Sequence, residues 1–432
     1  MKLHAWAWLA LSSFLAAPLP DPLAAATRPH YGGTLTVELS SSTASLEPLS
    51  TLVAETLVRL NQKGEIEPLL AVAWQRDADR KRWRFSLRPK VTFHDGEPLS
   101  ASSAAPMLAV ALRKQHGDVN VTAGGQTLVV QFDHAVPDLL TELTHSQFAV
   151  VRAGDKSPLI GTGPFRVVTW EPGHKLMVAA FEEYWAGRPF LDSVTISLGA
   201  TRALGDVFDI PFAQTRRVAP EHTRIWTSTP HELIALVAEH PQPEVSEALA
   251  LAIDRAPIVN VLAQKRAEAA FGLLPAWLSG YAFLFANPPD LGRAKKLAAA
   301  LRLAPLTLNY PANDGFARSV AERVALNARD AGIILEPAPS PNGSLRLVRW
   351  RLESTDAASE LRRLAKMLGK PEAANALNAA NPESLYEAER TLLESHLVIP
   401  LVYLPDVFGI APRVHNWDAG LSLHLENVWV DP

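Results

Sequence analysis

Thirteen histidines and no cysteine define the reactive side chains of this 432-residue chain. Without a thiol there is no disulfide, zinc–cysteine site, iron–sulfur cluster, thiol nucleophile or cysteine-linked lipid anchor. The histidines are nowhere spaced as HxxxH or HExxH, so no helical metal pair is written into the sequence, and neither a metal nor a cofactor is expected. A hydrolase is not supported either, because there is no GxSxG elbow and no assignable triad. The glycine-rich GTGPF, Gly161 to Phe165, leads into a strand and lacks the Lys-Ser/Thr of a phosphate loop. What remains are carboxylates, aromatic rings and main chain, with no catalytic constellation assigned among them. With 41 Lys+Arg against 45 Asp+Glu, the formal charge of −4 gives no basic field for nucleic acid or an anionic membrane.

These groups must be positioned by a chain that is 48% hydrophobic and 20% charged, a globular composition long enough for two or three domains. The first half reads as sheet. GGTLTVEL alternates behind two glycines, and Trp83, Phe85 and Leu87 share one face of a strand as core residues. The HDG turn follows that strand, its Asp95 expected to bond local backbone. Runs on either side of Ala123 to Gly125, and FRVVTW and KLMVAAF around Glu171 to Gly173, predict two hairpins. Beyond Pro243 the spacing turns helical, through Val245, Leu249, Ala252 and Ile253, then through Phe316, Val320 and Val324 to a left-handed cap at Gly332 before the strand-like IILE. The Ala-Ile-Asp-Arg run, Ala252 to Arg255, is expected to supply a helix end and an ion pair. Strands return at Val428 to Val430.

The amino terminus reads as an address. Lys2, the apolar stretch Ala5 to Ala17 and small residues at Ala24 and Ala26 predict a secretory signal, residues 1–26, cleaved before Thr27. The apolar run is shorter than the ~20 residues a bilayer crossing needs. A periplasmic location without a lipid anchor follows as the expectation.

Several blocks, in order, resemble the family 5 extracellular solute-binding proteins of ABC transporters, the dipeptide- and oligopeptide-binding type. They include GEIEPLLAVAW (Gly64 to Trp74), WRFSLRPKVTFHDGEPLSA (Trp83 to Ala101), GTGPFRVVTWEPG (Gly161 to Gly173), YWAGRPFLDSV (Tyr184 to Val194), EALALAIDRAPIVNVL (Glu247 to Leu262) and IPLVYLPDVFGIAPRVHNW (Ile399 to Trp417). The resemblance implies an α/β, two-lobed periplasmic-binding-protein fold of type II, with an extra small subdomain and mixed sheets flanked by helices. It places lobe I at 27–245 plus 405–432, the subdomain at about 50–158, and lobe II at 246–404. Hinge closure on a solute is the implied motion.

In peptide-binding members, an acidic residue three positions after a tryptophan anchors the peptide's amino group. Glu353 stands at that place after Trp350, whose ring would wall the pocket; the alternative is a solvated Glu353 ahead of a helix beginning near Thr355. Tyr403, in the crossing strand, either faces the cleft or joins the core, and Glu47, before Pro48, lies near the expected cleft. His415 and His424 invite a nickel reading, since some relatives carry metal chelates, but isolated histidines on terminal strands are more often surface or core residues. The chain also departs from the family pattern: the span from Glu47 to Thr56 is short, VAEHPQPEVS replaces the usual strand, and a proline-containing loop after Glu353 is missing. All three fall on the expected ligand side and point to an altered pocket. The function implied is capture of a short peptide or related small solute for an inner-membrane ABC permease, by a monomer. The alternative is a degenerate scaffold acting as a sensor or protein-interaction module.

Overall fold

The computed structural model describes residues 28–40, 47–61, 65–154, 159–201, 204–212, 222–239, 242–301, 303–340, 343–374, 377, 381–419 and 423–432. The signal-like segment lies outside them. No helix among the described residues is long and apolar enough to cross a membrane.

Three sheets carry the architecture. A seven-stranded sheet runs, edge to edge, through 224–227, 407–410, 207–209, 34–39, 193–198, 175–180 and 165–171. Its middle strand Thr34–Leu39 is parallel to both neighbours, and the remaining pairs are antiparallel. The expected hairpin Phe165–Glu171 with Lys175–Ala180 forms its far edge. A four-stranded antiparallel sheet of 71–76, 82–87, 127–132 and 119–124 holds the other expected hairpin. Trp83, Phe85 and Leu87 lie in its core against helix Ala101–His116, which Ser100 and Ser103 start with reciprocal capping bonds.

The third sheet orders 268–269, 398–404, 232–238, 345–351, 306–309 and 335–338. Strand Glu232–Ala238, ELIALVA, shows why it is central. Ile234, Leu236 and Ala238 join one core, while Leu233, Ala235 and Val237 join another on the opposite face. With side chains alternating at period two, a strand apolar on both faces must be covered on both. The chain leaves the first sheet for the third at 228–231. Helix Pro243–Ala252 follows in the same body. Helix Gly315–Asp330 buries Phe316, Val320 and Val324 and ends before Gly332 at φ 87°, as the stripe and cap predict.

Arg255 corrects one expectation. Instead of an ion pair, its buried guanidinium donates to the carbonyls of Ala270 (2.8 Å) and Pro400 (3.0 and 2.7 Å), all within the third sheet's body. Burial pulls its pKa down to about 10.

The chain passes between the first and third sheets at 228–231 and again at 405–406, and these crossings bond to each other. Ser228 N–H donates to Asp406 O (3.0 Å), Asp406 N–H to Ser228 Oγ (2.9 Å), and His231 N–H to Leu404 O (3.0 Å).

Candidate functional site

A cavity of about 910 Å³ opens where the three sheets' bodies meet. It takes Val37 and Leu39 from the first sheet, Thr144–Gln147 from the four-stranded body, Arg351–Thr355 from the third sheet's body, and Asp406 from a crossing. That volume is within the range of small-molecule sites. Six carboxylates line it, Glu55, Asp209, Glu353, Asp406, Asp418 and Glu426, against two arginines, Arg59 and Arg351.

The arginines are already engaged. Arg59 pairs with Glu67 at 3.3 Å, and Arg351 places both terminal nitrogens on Asp406, at 3.1 and 2.6 Å. Burial pushes the Asp406 carboxyl up, but hydrogen bonds and charge from His231 and Arg351 outweigh it and hold the group well below the usual carboxylate range. His231 is buried, its Nε2 3.3 Å from Asp406 Oδ2. Carboxylates thus outnumber cations in the lining.

Glu55 is the most buried carboxylate of the lining, 5% exposed. Its carboxylate accepts from Thr162 Oγ1 (2.9 Å), Tyr184 Oη (2.9 Å) and Trp185 Nε1 (2.9 and 3.1 Å). No cation pairs with it among these partners, so burial pushes its pKa up to about 7 against the lowering effect of the three donors. The donors come from GTGPF and YWAGRPF. Both glycines of GTGPF press on the main chain of Val53, where a Cβ at Gly161 would meet Val53 O at 2.1 Å. The glycines therefore serve close approach, with no phosphate role.

The residues singled out from sequence are separated by the structure. Glu353 lines the cavity with its side chain 57% exposed; its N–H donates to Glu360 Oε1 (2.9 Å), and its carboxylate is 3.5 Å from Arg363. The helix beyond it is Ala357–Met367, capped by Asp356. Trp350 is instead buried in the core between the third sheet and helices 357–367 and 382–394, since an inner strand has a packed face on each side. Tyr403 lies in the same core, paired with Leu233 and Glu268 across the sheet, its hydroxyl donating to Gly272 O at 3.3 Å. Glu47 starts the helical turn Glu47–Leu52, whose Leu49, Ser50 and Thr51 line the cavity; its own side chain lies outside the described residues. His424 lines the cavity, 3.7 Å from Glu426, whereas His415 stacks on Trp429 at 3.9 Å and bonds Asp431.

Sequence reading missed Glu55, Arg351, Asp406 and His145. A lone acid inside the apolar run LVAETLV was the available sign of Glu55. His145 lines the cavity and is held low by burial, with Glu353 and Glu142 acting in the opposite sense.

Residues 65–206 match the family model described as bacterial extracellular solute-binding proteins, family 5 Middle. The nickel-binding protein NikA of Staphylococcus aureus is 28% identical over 184 residues, 38% of this chain and 37% of that protein. The nickel-binding periplasmic protein of Escherichia coli is 30% identical over 238 residues, 50% of this chain and 43% of that protein. Each sequence match thus spans less than half the length of the curated relative. In fold the likeness is fuller: DppA from Helicobacter pylori in complex with peptide STSA, at 15% identity, superposes with a TM-score of 0.79 over 93% of this chain and 99% of that one. Residues 65–206 are thus similar to the family 5 extracellular solute-binding proteins, and the chain as a whole shares the two-lobed fold of the peptide-bound DppA structure.

Proposed function

We propose that this chain is the solute-capturing component of an ABC importer, working outside the inner membrane, and that it holds a short peptide or related amine-bearing solute in the cavity between its bodies. On this reading lobe I comprises 28–227 and 407–432, including the four-stranded body, and lobe II comprises 232–404, with the crossings at 228–231 and 405–406 as hinges. The observation that carries the reading is the composition of the cavity: a space of about 910 Å³, walled from both lobes, in which carboxylates outnumber cations and both arginines are spoken for. Glu353 is the proposed anchor for the ammonium. Its carboxylate is half exposed toward the cavity, and a charge-assisted hydrogen bond there is worth roughly 1.5–3 kcal/mol.

The names of the sequence relatives raise nickel as a cargo. Among the described residues no group of three or more His, Asp or Glu side chains could hold a metal ion, and the amine reading rests on the carboxylate-rich lining.

Native mass spectrometry of the protein purified from its host tests the proposal, because a retained solute identifies itself by mass. A co-purifying peptide or amine supports it. Such a ligand, at a hundredfold excess over its dissociation constant, stabilises the fold by about 2.7 kcal/mol in a thermal-shift assay. No retained mass, together with no thermal shift from a peptide pool, overturns it.

A further inference from the structure

Asp138 and Arg362 belong to different bodies and meet directly. Asp138 precedes the short helix Leu139–Glu142, whose Leu139 is sunk, with Leu143, in the core of the four-stranded sheet. Arg362 sits on helix Ala357–Met367, which the third sheet's core holds through Leu361 and Leu364. Arg362 Nη1 lies 3.0 Å from Asp138 Oδ2, while Nη2 donates to Leu377 O at 2.8 Å. The guanidinium is thus braced from behind by its own body and reaches across to the other. Neither residue is part of the cavity lining, yet each is a few positions from a segment that is: Thr144–Gln147 follows Asp138, and Glu353–Thr355 precedes Arg362.

An ion pair between two cores joined only by short crossings counts only when the cores are together. We propose that Asp138 and Arg362 form a latch that holds the lobes closed over the cavity, strengthening retention of a solute that neither residue touches. The proposal rests on the two-lobed, solute-capturing reading above.

The latch has a direction. Burial raises the Asp138 carboxyl, and Arg362 opposes that rise, with Arg80 adding to it and Asp356 working against it. Removing Arg362 leaves a partly buried anion with less compensation, whereas removing Asp138 leaves a guanidinium still bonded to Leu377. The R362Q variant should therefore open the protein more than D138N does.

The absence of native cysteine makes the test clean. Spin labels on K114C and K366C, exposed positions on the two bodies, report the separation of the lobes in the ligand-free full chain by pulsed dipolar spectroscopy. The expected result is a closed population in the parent. R362Q should lower the closed-to-open ratio roughly two- to fivefold, the range of a half-exposed ion pair. D138N should lower it less, and the swapped D138R/R362D should bring it back toward the parent. An unchanged distance distribution in R362Q, a swap that restores nothing, or a parent with no closed population each overturns the latch. Adding a peptide pool separates the two ideas: if the parent does not close further while R362Q still differs from it, the solute reading fails and the latch stands.

Discussion

The indole nitrogen of Trp185 reaches both oxygens of the Glu55 carboxylate, at 3.1 and 2.9 Å, and holds a buried anion at the edge of the cavity. The ordinary value of 4.5 rises there to about 7. Between those two values the folded chain binds a proton that the unfolded chain has released, so stability falls as pH rises through this window and the penalty is complete above about 7. A shift of this size corresponds to about 3 kcal/mol. Glu389, buried against Leu274 and Tyr281, is raised to about 7 as well and adds a slope of the same sign. In E55Q the amide oxygen still accepts from Trp185 and Tyr184, and its NH₂ can donate to the Thr162 hydroxyl. Urea unfolding at pH 5, 6, 7 and 8 should then show a shallower pH dependence than the parent, and the E55Q/E389Q pair should be shallower still. Equal slopes in parent and E55Q would show that Glu55 is already ionised throughout.

Glu353 faces the cavity with one cation beside it, Arg363 at 3.5 Å, a guanidinium that Glu360 holds more closely at 2.6 Å. Substitution by Gln keeps the shape and removes the charge, so an amine-bearing ligand should bind E353Q about tenfold more weakly or worse. Titration calorimetry with the ligand and its N-acetylated form distinguishes this from a general loss of fit. The parent should prefer the free amine and E353Q should not. Identical preferences in both proteins would remove Glu353 from the site.

Arg351 ties the third sheet to the crossing through its two bonds to Asp406, and it lines the cavity at the same time. R351M leaves Asp406 with the His231 ring, 3.3 Å away, as its neighbour. The loss should be roughly 1–3 kcal/mol in urea unfolding, and R351K should recover only part of it, because an ammonium cannot copy the planar fork. Because Asp406 is held below the usual carboxylate range, its contribution is present above the ordinary Asp value and fades as pH falls through the lowered one, a sign opposite to that of Glu55. An R351M chain as stable as the parent at neutral pH would show that the pair contributes nothing.

Much of the scaffold was legible because its signals are local. Trp83, Phe85 and Leu87 repeat at period two and are only 1%, 0% and 3% exposed; the glycine turn at 125 and the cap at 332 announce their backbone by residue type. The site was less legible, because what selects a cavity residue is the pairing of distant segments. Trp350 and Glu353 are neighbours in sequence, yet the strand ends at Arg351, so the tryptophan still belongs to the sheet's packed face while the glutamate has turned into the cavity. Arg351 gains its role from Asp406, a residue 55 positions away. Glu55 gains its partners from segments more than a hundred positions on. No periodicity within one element carries that information.

Gly161 converts the same long-range contact into a stability test. A Cβ there would stand 2.1 Å from Val53 O and 2.9 Å from Ala54 Cα, atoms of the main chain that cannot swing aside as a side chain would. The segment Val53–Glu55 would have to move, and with it the bond from Thr162 to Glu55 and that from Gly163 N–H to Val53 O at 2.9 Å. Overpacking of this kind costs typically 1–3 kcal/mol, and the lost bonds add to it. G161A should therefore unfold at lower urea than the parent, and its Trp185 emission should change before global unfolding, because the indole loses its fixed anion. Gly173 offers the comparison: a Cβ there meets nothing within 4 Å, and only its φ of +77° resists substitution. G173A should cost less than G161A and leave Trp185 undisturbed. Should the two alanines prove equally mild, the close approach of GTGPF to Val53 is not what holds the Glu55 wall in place.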